Sequence, residues 1–195
     1  MKIGFIGIAV TILSWFLIRP RKWWQRILII ACGVTLTVAL VISPVKDLFI
    51  TYNTPEDAFI DTAEGEVVLR VDGGYTSLVV AKHDEGLSES IIRAVDGGWK
   101  AGTAFDMRIY YWYPALEYSL TVLRYKDTDE FYIYLEDVKG EIKDIKDNRH
   151  SYFSVYQTDE NDNIDINKLY VAYVHDLDEE YILYIDGIKH KCVYS

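Results

Sequence analysis

The residues best spaced for chemistry form one acidic stretch, Asp159-Glu160-Asn161-Asp162-Asn163-Ile164-Asp165. Oxygen ligands recur at alternate positions, Asp159, Asn161, Asn163 and Asp165, which is the front half of a calcium-binding loop. The back half departs from the pattern. Ile164 stands where such a loop needs a glycine for its sharp turn, and Tyr170 where it needs a bidentate glutamate. Calcium is therefore the one cofactor the residues suggest, and its binding would be weak. A solvated acidic loop between two strands explains the same residues with no cofactor at all.

Other reactive side chains point less clearly. His190 and Cys192 lie two apart on an expected strand and so share a face, with His175 on another strand, but the paired spacing of a structural zinc site is missing. Cys192 as a nucleophile, with His150 or His175 as its base, has no glycine run before it to supply an oxyanion hole, and it reads as a residue at the edge of the core. The 30 carboxylates give too many accidental pairs to select a catalytic two. The chain has no Gly-x-Ser-x-Gly elbow, no phosphate-binding glycine loop and no His-Glu-x-x-His. No catalytic residue is assigned, and the reading leans away from an enzyme.

Tyr110-Tyr111-Trp112-Tyr113-Pro114 is the densest aromatic cluster. A regular strand would put Tyr110 and Trp112 on one face, and in the segment 131–135 it would put Tyr132 and Tyr134 opposite Phe131, Ile133 and Leu135. Tyr110, Trp112, Tyr132 and Tyr134 are thus the expected binding surface, suited to sugar rings, a peptide or a membrane interface. The alternative is a strand packed between two layers.

These residues need elements to position them. Thr54-Pro55-Glu56-Asp57 starts a helix, with Thr54 as N-cap, Pro55 in the first turn and two carboxylates facing the positive end of the dipole. Residues 66–71 and 75–81 read as a hairpin turning at Asp72-Gly73-Gly74, and Leu87 to Val95 carries apolar residues at i, i+4, i+5 and i+8, which predicts a second helix. This makes 54–102 an α+β part. From 103 to 195 the period is two, and strands are expected at about 104–112, 117–126, 130–136, 151–157, 168–175, 180–186 and 188–194, a β meander.

Ahead of that domain lie two apolar runs, 3–18 and 27–42, separated by the cationic segment 19–26. They predict a two-helix transmembrane hairpin over residues 1–46, in contact with the lipid bilayer through 3–42. The fold class expected is thus this hairpin followed by an α+β, mainly antiparallel β, soluble domain. By the positive-inside rule the loop stays in the cytoplasm, which makes the chain a two-span membrane protein with residues 47–195 outside the cytoplasm. A cleavable signal peptide is disfavoured by the missing Ala-x-Ala exit and by Arg19-Pro20-Arg21-Lys22 after the first run. Cys32 ends a lipobox-like Ile29-Ile30-Ala31-Cys32, but the apolar run continues past it, so a thiol packed in a helix is preferred to a lipidated one. The formal net charge of −10, with every acid after position 46, excludes nucleic acid as a partner of the acidic part.

The order Thr54-Pro55-Glu56-Asp57-Ala58-Phe59, a hairpin, Gly98-Trp99-Lys100, and strands ending in Ile182-Leu183-Tyr184-Ile185-Asp186-Gly187 resembles uncharacterised small membrane-anchored proteins of Gram-positive bacteria. Such proteins carry one anchor where this chain has two apolar runs. The resemblance implies an outer domain behind an anchor and brings no activity with it. Three classes of function follow: non-enzymatic binding of a ligand or protein, as an accessory or sensing subunit beside another membrane protein or an envelope component; an envelope enzyme; and an immunity or structural protein.

Overall fold

A computed structural model of the chain describes residues 22–42, 50–84, 86–101, 106–159 and 162–192, with the backbone alone over 36–42. The chain divides into two compact units, Met1–Ile50 and Thr51–Ser195.

In the first unit, helix α1 spans Trp23–Ile42. Ile27, Leu28, Ile30 and Val34 on it are each more than half exposed. Among the described residues no helix is long and apolar enough to cross a membrane. This corrects the two-span transmembrane hairpin and the multi-pass membrane localisation drawn from it. The physical reason lies in where α1 begins. Its first turn is Trp23-Trp24-Gln25-Arg26, so its apolar part starts only at Ile27 and rises roughly 24 Å, less than the roughly 30 Å of a hydrocarbon core. The other expected span, 3–18, lies outside the described residues.

The second unit opens with α2, Pro55–Ile60, capped as its sequence implies: the Thr54 hydroxyl accepts from the Asp57 N–H at 3.1 Å, with Glu56 and Asp57 in the first turn. The rest is antiparallel β structure in three sheets. The first sheet runs in the order β1 (Glu66–Asp72), β2 (Thr76–His83), β3 (Gly86–Val95), β4 (Gly98–Lys100). In the second sheet, β5 (Met107–Pro114), β6 (Tyr118–Tyr125) and β7 (Glu130–Asp137) are consecutive, and then β10 (Lys168–His175) inserts before β9 (Ser154–Gln157). The third joins β12 (Ile188–Lys191), β11 (Ile182–Ile185) and β8 (Ile145–Asp147). Residues 103–195 therefore do not form one meander, because the chain leaves the second sheet after β7, returns to it at its far edge as β9, and only then fills the gap with β10.

The helix expected over Leu87–Val95 is strand β3 instead. All eight residues of β2 pair with it, from Thr76 opposite Arg93 to His83 opposite Gly86. Its apolar residues serve two faces: Leu87 and Ile91 pack towards the second sheet, and Ile92 packs towards α2. A strand clothed on both sides carries apolar residues in both phases, and such a pattern imitates a helical face.

Three cores separate four layers. Phe59 and Ala58 of α2 meet Val79, Ala81 and Ile92 of the first sheet. Leu78, Val80 and Ile91 of that sheet meet Leu123, Tyr132, Tyr134 and Val171 of the second. Leu120, Ile133, Leu135 and Ala172, on the second sheet's other face, meet Tyr181, Leu183 and Ile185. This accounts for β7, where residues 130–135 are all buried. The β1–β2 turn closes on the second sheet so tightly that a Cβ at Gly73 would lie 2.6 Å from the Glu130 carboxylate and 2.7 Å from the Tyr132 hydroxyl. The β11–β12 hairpin turns on Asp186 and Gly187, both at positive φ (49° and 81°), the pair that a two-residue primed turn requires.

Candidate functional site

The second sheet is wider than the sheet that covers it. Cross-strand partners share a face, so the register lines up Trp112, Thr121 and Tyr134 in one row and Pro114, Ser119 and Glu136 in the next, on the side facing the first sheet. In the middle of that side the side chains are sealed, and towards β5 they are not. Ile109 is 68 % exposed and Trp112 55 %. Leu116, in the β5–β6 turn, is 94 % exposed.

The two expected members on β5 do not share a face. A β-bulge between Ile109 and Tyr111 makes Tyr110 a supernumerary residue: Ile109 is opposite Leu123 and Tyr111 opposite Val122. The phase shifts there, which brings Ile109 and Trp112 to the same side. Tyr110 goes to the other, edge-on to Phe131 at 5.1 Å and under the Arg124 guanidinium at 5.7 Å. Tyr132 and Tyr134 are only 0 and 4 % exposed, packed between two sheets, so as members of a binding surface they are corrected to core. Of the four expected residues, Trp112 alone remains well exposed.

A feature that sequence reasoning missed lies where this open strip meets the core. Glu136 follows Tyr134 in phase on β7, and Glu89, paired with Val80 on the inward side of β3, projects from the facing sheet. Both carboxyls are half-buried. Burial raises the Glu136 carboxyl above the ordinary range, and the charge of Glu89 raises it further; burial likewise raises Glu89, against a hydrogen bond from its own backbone N–H. Apart from that N–H, neither carboxyl has a hydrogen-bond donor or a cationic partner among the described residues. Beside them the Tyr134 hydroxyl is fully buried with no hydrogen-bond partner. Its ionisation is suppressed first by burial and then by Glu89 and Glu136, which puts both carboxylates within electrostatic reach of the oxygen. The sequence held a signal for this cluster, a glutamate continuing an otherwise buried phase: Tyr132-Tyr134-Glu136 on one strand and Leu87-Glu89-Ile91 on the other. Reading 87–95 as a helix hid the second.

Of the other buried side-chain polar atoms among the described residues, only the Ser88 hydroxyl also has no partner. A cleft of about 1140 Å³ between the second and third sheets is lined by Asp137, Lys143, Tyr170 and Asp186 among others. Asp137 accepts the N–H groups of Gly140, Glu141 and Ile142 at 2.7–3.2 Å. Asp186 accepts those of Asp144 and Lys143, which hold its carboxyl below the usual range. Both carboxylates thus serve as loop caps. In the acidic stretch, Asp159, Asn163 and Asp165 are exposed, Asn161 lies outside the described residues, and Asp162 turns to the Lys82 ammonium at 3.1 Å. Among the described residues no three or more His, Cys, Asp or Glu side chains are grouped to hold a metal.

His190 and Cys192 do share a face, but it is directed into the core below the second sheet. The thiol is pushed up to about 12 by burial, aided by the charge of Asp147, and His190 is lowered by burial, its Nε2 3.1 Å from the Tyr118 hydroxyl. His175 stands exposed at the end of β10, towards the opposite face, so the three are not brought together. No family model, curated protein or solved structure matches the chain.

Proposed function

We propose that the chain is a non-enzymatic binding module that docks a protein partner on the outer strip of its second sheet, β5 and the β5–β6 turn. One observation carries this reading. The same unit that buries Tyr132 and Tyr181 completely leaves Ile109, Trp112 and Leu116 at 68, 55 and 94 % exposure along one strand and its turn. A concentrated apolar and aromatic strip of that kind is characteristic of interaction sites. β5 is also an outermost strand, so its backbone offers hydrogen-bonding groups to an added strand, and peptide recognition commonly uses such an edge.

The test is a displayed library of extended peptides selected on the full-length chain. Selected peptides should bind Ile109→Glu and Trp112→Ala at least about tenfold more weakly than the unaltered protein. Selection of peptides that bind both variants undiminished would sink the reading. A second reading, an enzyme using Glu89 and Glu136 as an acid–base pair, is favoured by their raised carboxyls and by nothing else at the site.

A further inference from the structure

We infer that the recess formed by Glu89, Glu136 and Tyr134 is a receptor for the guanidinium of an arginine side chain, carried by an extended segment of the protein partner. The inference rests on the docking reading above and adds the identity of the anchor residue.

Three observations converge on it. Two half-buried carboxylates from facing sheets stand together without a cation among the described residues, although the chain pairs many of its other acids: Glu56 with Arg70, Asp162 with Lys82, Asp127 with Arg108 and Asp178 with Arg149. Tyr134, 96 % buried, brings to them a hydroxyl with no partner, and a native fold seldom leaves such a group unsatisfied without a reason. That oxygen accepts one hydrogen bond and donates another, so an N–H donor in the recess would satisfy it while each carboxylate took further N–H groups. The third observation is Trp112, in the row of Tyr134 on the same face and two strands away, with more than half of its surface open. An indole face stacks well on a planar cation.

These features discriminate among cations. A metal ion would want more oxygen ligands than two carboxylates and a phenol provide. An ammonium is compact and strongly hydrated, which disfavours a half-buried seat. A guanidinium is planar, weakly hydrated and carries five donors in a fork, which suits two separated carboxylates, a hydroxyl and an aromatic wall. The overall charge of −10 complements a basic segment and speeds its approach. A segment lying across the open face over β5 and β6 would carry an arginine past Trp112 to the recess, whereas a strand added outside β5 would lie three strands, roughly 14 Å, from Glu136.

The experiment is isothermal titration of the full-length chain with two synthetic nonapeptides of alternating valine and serine, one with a central arginine and one with a central citrulline, which keeps the shape and loses the charge. The arginine peptide should bind at least about tenfold more tightly. In the Glu89→Gln/Glu136→Gln variant that advantage should fall below about threefold. Tyr134→Phe keeps the ring in the core and should weaken the arginine peptide alone. This single change and the contrast on the unaltered protein both stand if the double variant folds poorly. Equal affinity of the two peptides, with both weakened by Trp112→Ala, would overturn the arginine receptor and leave the docking strip intact. Binding of neither peptide, or binding indifferent to Trp112→Ala, would overturn both.

Discussion

Strand β7 begins and ends on the same face with a glutamate, and the two ends treat it in opposite ways. At the first end Glu130 is 1 % exposed and saturated: it accepts from the Gly74 and Tyr75 N–H groups at 3.1 and 3.4 Å, from the Thr76 hydroxyl at 2.6 Å and from the Tyr173 hydroxyl at 2.6 Å. At the other end Glu136 is more open and has no side-chain partner among the described residues. The tyrosines follow suit, since Tyr132 bonds Thr76 at 2.8 Å while the Tyr134 hydroxyl has nothing. The difference shows that burial of a carboxylate is not in itself a sign of function. A carboxylate surrounded by donors clamps one sheet to another, and one left short of donors where the layers part is available to something outside the fold.

Replacing Glu130 by alanine should break the comparison most severely. It leaves the Thr76 and Tyr173 hydroxyls and two backbone N–H groups without their acceptor, and should cost about 3–5 kcal/mol in urea unfolding. A loss under about 1 kcal/mol would show that the clamp is dispensable. Next comes the tyrosine pair. Tyr132→Phe should destabilise by about 1 kcal/mol, whereas Tyr134→Phe should be neutral or slightly stabilising, because only the first gives up a hydrogen bond. Equal losses in the two variants would erase the distinction drawn here.

The smallest effect is in pH dependence. Glu136 has a carboxyl raised in the folded state, by burial and then by Glu89, so folding favours its protonated form and the penalty on its charge is fully present above the folded pKa. That penalty is relieved as pH falls through the raised value towards the ordinary carboxylate range. Glu136→Gln should therefore be more stable than the parent at pH 7, by about 0.5 kcal/mol, with the gap closing in acid. Parallel stability curves for the two proteins across the acid range would contradict this assignment.

Much of the second unit is legible in the sequence because its signals are local. The Thr54-Pro55 cap, the Gly73-Gly74 turn and the strand-length apolar runs between polar turns after position 117 each state their own geometry. What is not legible depends on which layer covers which face. Leu87, Ile91, Ile92 and Val95 fit a helix and a doubly covered strand equally well, and only pairing with β2 decides between them. Tyr132 and Tyr134 announce an aromatic face, but whether it is wet depends on the first sheet, which the chain builds some forty residues earlier. The recess was hidden twice over, by the abundance of acids and by the misread strand that supplies Glu89. The apolar run in α1 shows a limit of another kind, since hydropathy measures greasiness and the position of the helix start decides how much of that grease comes as uninterrupted length.

The bulge at Tyr110 has a consequence for how the molecule is dressed. Were that spare residue taken up into regular pairing, odd and even positions along β5 would keep their order, Tyr110 and Trp112 would look the same way, and Ile109 would look the other. What the molecule displays to a visitor is thus fixed by a matter of parity: iron out the bulge while keeping every residue and one half of the strand turns its wardrobe inside out, although not a garment has changed.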